Sequence, residues 1–251
     1  MTKYGLIGYP LGHSFSKAFF TEKFAREGID AVYENYEIED AHMLLEIVHD
    51  TPELVGLNCT IPHKHAIIPL LDWLSPEVEE IGAANVIKIQ REGDSIKLLG
   101  YNSDIIGFKN SIRPLLRPEH RKALILGTGG ASRAIRVALT HLGIEWKMVS
   151  RRKSSDTLCY EDITPELLQQ YKVIVNCSPV GMYPHTDEAP QLPYEALTPQ
   201  HLLFDLIYNP EETLFLKLGA QRGATIKNGL EMLHLQAQAS WEIWEGLEVR
   251  G

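Results

Sequence analysis

Three groups of residues in this chain have types and spacings that could do chemistry. Lys64 closes Asn58-Cys-Thr-Ile-Pro-His-Lys64, Asp104 closes Asn102-Ser-Asp104, and Gly127-Thr-Gly-Gly-Ala-Ser-Arg-Ala134 follows the apolar run Lys122-Ala-Leu-Ile-Leu126. The glycines read as a phosphate cradle. Gly127 permits a tight turn, Gly129 lets backbone approach a pyrophosphate, and the small Ala131 and Ser132 let the next helix pack closely on its sheet. That helix would turn its unpaired N–H groups toward the phosphates. A lysine beside a carboxylate suits acid–base work: oxidising a secondary alcohol by hydride transfer requires its hydroxyl proton to leave, and a desolvated lysine can take it. The carboxylate would also tend to raise the lysine pKa, and a structural ion pair would use the same two residues, so residue types alone leave both readings open.

The nucleotide can be read more finely. Residues 135–142 continue as an amphipathic helix, Gly143 stops it, and Trp146-Lys-Met-Val149 is the next strand, completing a strand–turn–helix–strand unit. Sites for NAD usually place an acidic residue after this second strand to hold the ribose hydroxyls. Here the chain has Ser150-Arg-Arg152. Two guanidiniums suit a 2′-phosphate through charge-assisted bonds, which predicts NADP(H); a solvated basic turn on an acidic protein is the plainer reading.

The elements that must position these residues follow an α/β rhythm. Strands are predicted at Tyr4–Gly8, Val32–Glu37 and Leu54–Cys59, with helices from about Ser16 to Glu27 and from near Asp40. Val86–Gln90 and Ser95–Leu99 flank the turn Arg91-Glu-Gly-Asp94 as an antiparallel pair. A connecting helix from about Asp104 to Leu116 leads to the glycine-turn sheet at Lys122, with further strands at Lys172–Asn176, Leu202–Asp205 and Ala224–Ile226. The closing helix, Leu230–Glu245, can turn Leu230, Leu233, Ala237 and Trp241 to one side. The expected fold is α/β with two domains: a mainly parallel α/β domain carrying an antiparallel edge, and a Rossmann-type nucleotide-binding domain. At 251 residues the chain is long enough for both cores.

Composition narrows the partners. A formal charge of −9 argues against nucleic acid. Cys59, Cys159 and Cys177 are widely spaced and odd in number, which predicts a reducing, cytoplasmic setting with no disulfide framework and no metal. The opening Thr2-Lys-Tyr-Gly-Leu-Ile-Gly8 lacks the apolar core of a signal peptide, and no run has membrane-spanning length.

An ordered set of motifs then carries a resemblance. Gly12-His-Ser14-Phe-Ser16, Asn58 through Lys64, Gly82-Ala-Ala-Asn85, Gly100-Tyr-Asn102-Ser-Asp104, the glycine turn, Asn176-Cys-Ser-Pro-Val-Gly-Met182, Asp205-Leu-Ile-Tyr208-Asn-Pro210 and Asn228-Gly-Leu230 through Gln236 recur in sequence, and the chain resembles bacterial-type shikimate dehydrogenases from residue 4 to about 245. The resemblance implies reversible, NADPH-dependent reduction of 3-dehydroshikimate to shikimate, in chorismate and aromatic amino-acid biosynthesis, in the cleft between a substrate domain (1–103, completed by the helix at about 230–251) and an NADP domain (104–229). It makes Lys64 and Asp104 the catalytic pair. Ser14 and Ser16 would bind the substrate carboxylate, with Tyr208 closing that end, and Thr60, Asn85, Asp104 and Gln236 would meet the ring oxygens. Asn58 is implied as a neighbour rather than a catalyst. Gly127, Gly129, Gly130, Ala131, Ser150, Arg151 and Arg152 would hold the cofactor phosphates, with Leu206, Gly229 and Met232 near the nicotinamide.

The chain departs from many such relatives in having Ser150 for Asn, Arg152 for Thr, Ser103 for Thr and Val86 for Thr. A quinate/shikimate dehydrogenase is the nearest alternative, but the basic turn argues against NAD preference. A nonenzymatic NADP-responsive protein would not need both Lys64 and Asp104, and a methylene-tetrahydrofolate dehydrogenase fits the Ser14/Ser16 and Tyr208/Gln236 sets less well. Monomer and homodimer both remain open.

Overall fold

Thr2–Gly8 forms β1, and from Tyr4 onward every residue of it is buried, as a strand covered on both faces requires. It anchors the first of two compact units in the computed structural model, which describes residues 1–12, 15–152 and 154–249. One unit is Met1–Ser103 with the segment from Gln236 on; the other is Asp104–Leu235.

In the first unit α1 (Phe15–Glu27), β2 (Ala31–Glu37), α2 (Met43–Asp50), β3 (Leu54–Cys59), β4 (Trp73–Leu74), α3 (Pro76–Ile81), β5 (Val86–Glu92) and β6 (Ser95–Tyr101) follow β1. The sheet order is β2-β1-β3-β5-β6-β4. β1 pairs in parallel with β2 and β3, and β5 and β6 form the antiparallel portion. The predicted parallel sheet with an antiparallel edge is therefore present, with the two-residue β4 added beyond β6.

The second unit begins with α4 (Ser103–Ile112) and continues through β7 (Lys122–Leu126), α5 (Gly130–His141), β8 (Glu145–Ser150), β9 (Thr157–Cys159), α6 (Pro165–Gln170), β10 (Val173–Asn176), β11 (Leu202–Asp205), α7 (Leu214–Ala220) and β12 (Thr225–Lys227). Its order, β12-β11-β10-β7-β8-β9, is all parallel. Counted from β7, this is the doubly wound dinucleotide-binding order, whose switch point lies between β7 and β10. The glycine turn after β7 stands there.

α8 (Leu230–Glu245) ends the chain's regular structure. Its apolar side differs from the expected one: Leu230 is 37 % exposed, whereas Ala237, Trp241 and Trp244 are buried. The i, i+4, i+7 spacing of those three puts them on one stripe against Tyr4, Phe20, Phe24 and Tyr33. Gly56 of β3 makes room for it, because a Cβ there would lie 2.5 Å from the Trp244 ring.

β4, α3, β9, α6 and α7 were not legible by periodicity because each spans seven residues or fewer. Capping still marks two of the short helices in sequence. Ser75 accepts from the Val78 N–H ahead of Pro76 and Gly82 closes α3 at φ 70°, while Thr164 accepts from Leu167 N–H ahead of Pro165.

At the N-terminal ends of the second unit's strands, two buried histidines share one bonding pattern. His201 Nδ1 accepts from Thr198 N–H at 3.0 Å and its Nε2 donates to Leu168 O at 2.9 Å. His120 likewise accepts from Arg117 N–H and donates to Gln200 O, both at 3.0 Å. Burial holds both imidazoles below their usual pKa. Their neutral forms therefore contribute stability that is complete above the unfolded value near 6.5 and is lost as pH falls below it. His201→Gln should accordingly cost stability at pH 7.5, and that cost should shrink by pH 5. Urea midpoints across the range check this; a pH-independent difference would remove His201 from the acid response.

Candidate active site

In the first unit, the ends of β1 and β3 carry the polar residues. Thr60 N–H donates to Ile7 O at 2.9 Å, and Gly8 leaves the space for the Thr60 methyl, which a Cβ would approach to 2.5 Å. The following turn presents Lys64. His63, 3 % exposed, anchors it by donating from Nε2 to Ile38 O at 2.7 Å, and Lys64 O accepts from Ala84 N–H at 2.9 Å. The Lys64 side chain is half-buried.

Ala84 leads into Asn85, which is 5 % exposed and spends its carboxamide on the start of α4. Its Oδ1 accepts from Ser103 N–H at 2.7 Å and its Nδ2 donates to Ser103 Oγ at 3.1 Å. Asp104 is the next residue, 7 % exposed. Serine at 103 thus keeps the hydroxyl that threonine would supply. Val86, by contrast, lies fully buried in the aromatic cluster with α8, where a methyl packs and a hydroxyl would need a partner.

A chain of hydrogen bonds connects α1, β2, β3 and α8. The Ser16 hydroxyl bonds the Tyr33 phenol, which donates to Asn58 Oδ1 at 2.8 Å. Asn58 Nδ2 donates to Ser240 Oγ at 2.8 Å, and that hydroxyl donates to Gln236 O at 2.9 Å. Burial pushes the Tyr33 phenol up from its ordinary value, so it remains a donor. Ser16 and the helix turn bearing Gln236 are thereby tied together. Tyr33 and Ser240 were missed in the sequence because each reads as an ordinary core residue. Ser14 lies outside the described residues.

In the second unit, Gly127 has φ +104°, a region that favours glycine, and a Cβ there would meet Ser178 N at 3.2 Å. Gly129 is the N-cap of α5 with no side-chain cap, and Cβ atoms at Gly129 or Gly130 would meet nothing within 4 Å. Gly129 through Ala131 are exposed. Ser132 is fully buried and turns its hydroxyl back onto Gly129 O at 2.6 Å. The turn is thus an open cradle of backbone N–H groups at a helix start, which fits a dinucleotide pyrophosphate. After β8, the Ser150 hydroxyl bonds the Arg152 backbone, accepting from its N–H at 3.2 Å and donating to its carbonyl. Its bonding closes the turn on which Arg151 and Arg152 stand exposed.

Leu206, Gly229 and Met232 come from the far side of the same sheet. Gly229 N–H donates to Ile207 O at 3.0 Å, and a Cβ on Gly229 would fall 2.1 Å from Leu206 O, so only glycine fits. Met232 is 4 % exposed and Tyr208 44 %. Asp205, just before Leu206, is fully buried and its carboxyl is pushed up to about 6, chiefly by burial. Among the described residues no three His, Cys, Asp or Glu side chains group as metal ligands.

Residues 6–87 match the shikimate dehydrogenase substrate binding domain family. The chain is 33 % identical over 263 residues to shikimate dehydrogenase (NADP(+)) of Desulforamulus reducens, covering 96 % of this chain and 89 % of that one. It is similar to the crystal structure of shikimate 5-dehydrogenase from Thermus thermophilus in complex with NADP(H) and shikimate, at 29 % identity and TM-score 0.84, over 98 % of this chain and 94 % of that chain. The ligand-free 5-ketofructose reductase of Gluconobacter sp. strain CHM43 shares the fold at 30 % identity and TM-score 0.85, over 99 % and 94 %. Two activities on one architecture mean that the polar set, rather than the fold, has to select the substrate.

Proposed function

We infer the function from one premise: the chain belongs to the shikimate dehydrogenase family. Its activity is the NADP-dependent, reversible reduction of 3-dehydroshikimate to shikimate, and the relatives favour this over the broader quinate reading. The open glycine cradle, followed one strand later by Arg151 and Arg152, is the observation in this molecule that best supports the cofactor.

The residue roles are the proposal. Met1–Ser103, with the C-terminal helix, binds substrate, and residues 104–229 bind NADP. Ser14 and Ser16 hold the substrate carboxylate with Tyr208, while Thr60, Asn85, Asp104 and Gln236 bind ring oxygens. The engagement of Asn85 with Ser103 supports a second task for it, fixing the start of α4 that carries Asp104. Gly127, Gly129, Gly130 and Ala131 supply N–H groups to the pyrophosphate, and Arg151 and Arg152 bind the 2′-phosphate. Ser150 acts by shaping their turn, and Leu206, Gly229 and Met232 border the nicotinamide. When bound, NADP(H) supplies the hydride donor and acceptor. In oxidation, neutral Lys64 takes the alcohol proton as the carbon gives up hydride; in reduction Lys64 returns the proton to the ketone oxygen, and Asp104 accepts a substrate hydroxyl and orients the ammonium. Three free cysteines support a cytoplasmic setting, with the enzyme a monomer or homodimer.

The test pairs shikimate or quinate with NADP+ or NAD+, and shikimate with NADP+ should be turned over most efficiently. Failure of that pair with folded protein would reject the assignment. Arg151→Ala combined with Arg152→Ala should weaken NADP+ binding about 10²- to 10⁴-fold, since bonds to a charged partner contribute about 1.5–3 kcal/mol each and two arginines are removed, and should leave NAD+ binding unchanged. Equal losses for both nucleotides would place the arginines elsewhere.

A further inference from the structure

The segment Leu206–Thr213 carries two of the proposed contacts, Leu206 and Tyr208, yet the Tyr208 side chain is 44 % exposed. Packing therefore does little to place it; its position comes from the backbone. Gly229 N–H bonds Ile207 O and Asn228 Nδ2 bonds Glu211 O within that backbone, and a buried carboxylate fastens it near both ends. Asp205 Oδ1 accepts from Ile207 N–H at 3.0 Å and from Asn176 Nδ2 at 3.1 Å, while Oδ2 accepts from Thr213 Oγ1 at 2.6 Å. Ile207 opens the segment, and Thr213 closes it as the N-cap of α7. Asn176 ends β10 and accepts at Oδ1 from Ser178, both from its N–H at 3.1 Å and from its hydroxyl at 2.7 Å. One side chain thus fastens both ends of the segment to the neighbouring strand.

This is an expensive way to stabilise a fold. Burial raises the carboxyl to about 6 despite its three donors. Taking a charge out of water is costly unless it is well paired and hydrogen-bonded. A carboxylate here is better explained by what it can do and a neutral group cannot: accept at once from three donors, at both ends of the segment and on the neighbouring strand.

We propose that Asp205 is a positioning residue for substrate binding: by clamping Ile207 and Thr213 it sets the backbone from which Tyr208 reaches the substrate, without touching the substrate itself. The proposal rests on the role given to Tyr208 above.

A double-mutant cycle in the full chain tests it, using Asp205→Asn, Tyr208→Phe and the pair. Asparagine keeps the side-chain shape but turns an NH₂ toward groups that donate. Asp205→Asn should raise KM for shikimate about tenfold at saturating NADP+ with a smaller change in kcat, and should speed amide exchange at Ile207 and Gly229. Tyr208→Phe should also raise KM, and the double variant should be no worse than the worse single. Additive effects, or a wild-type KM with only a lower melting temperature, would overturn the proposal. If Tyr208→Phe leaves KM unchanged while Asp205→Asn raises it, the role of Tyr208 falls, and with it the route proposed for Asp205. Should Asp205→Asn not fold, Thr213→Val removes one arm of the clamp and should raise KM, whereas Thr213→Ser keeps the donor and should restore it. Equal KM values for the valine and serine variants would overturn the clamp.

Discussion

Lys64→Ala should lower kcat for shikimate oxidation by about 10²- to 10⁴-fold, the range that general acid–base groups contribute, and should leave NADP+ affinity at its wild-type value. The turn should survive the change. His63 anchors it through Ile38 O and the Lys64 carbonyl is held by Ala84 N–H, so neither support uses the amine. Lys64→Arg separates proton transfer from charge: guanidinium remains positive but does not release its proton at accessible pH, and turnover should stay low. Steady-state rates with an independent NADP+ titration make the comparison. Turnover within about tenfold of wild type in Lys64→Ala would remove Lys64 as the proton carrier.

Trp244→Ala should be the most damaging single change to the first unit. The indole is 5 % exposed, donates to Ile87 O at 3.1 Å and lies 4.9 Å from the Tyr4 ring and 5.2 Å from the Phe20 ring, centroid to centroid. Truncating a buried aromatic costs about 3–5 kcal/mol, and leaving a buried carbonyl without its donor costs about 1–3 kcal/mol more. Whole domains are stable by only about 5–15 kcal/mol, so most of the margin would go. Urea unfolding should show the first unit melting early while the second unit's transition stays in place. Trp244→Phe, which keeps a ring over Gly56, should recover much of the loss. A single transition that moves as a whole would mean the units unfold together.

Much of this was legible in sequence because local chemistry and global placement agreed. The glycine turn needs a positive φ, an open backbone and a buried small residue, and Gly127, Gly129 and Ser132 supply them in the order a strand-to-helix turn demands. The antiparallel pair around Arg91–Asp94 was readable for the same reason. The apolar face of α8 was legible only in part: Ala237 and Trp241 lie on it as expected, but periodicity did not show that Trp244 rather than Leu230 joins them, which depended on the groove at Gly56, far away in sequence. Relays escaped notice for a related reason. Tyr33 and Ser240 are unremarkable singly, and only the fold brings them together on Asn58. Asp205 stood inside a recognised motif, yet its work depends on Thr213 and Asn176 meeting it below the surface.

Trp241 and Trp244 have a consequence for how the protein is made. They belong to the unit that Met1 begins, but all of Asp104–Leu235 is synthesised before the segment from Gln236 is. At about 5–20 residues per second, the ribosome keeps the first unit waiting on the order of ten seconds for its last wall. During that interval Phe20, Phe24 and Tyr33 lack the tryptophans that cover them, and by its end the second unit has all its strands. The nascent chain therefore completes its second unit first, and the first unit is the one that needs shelter.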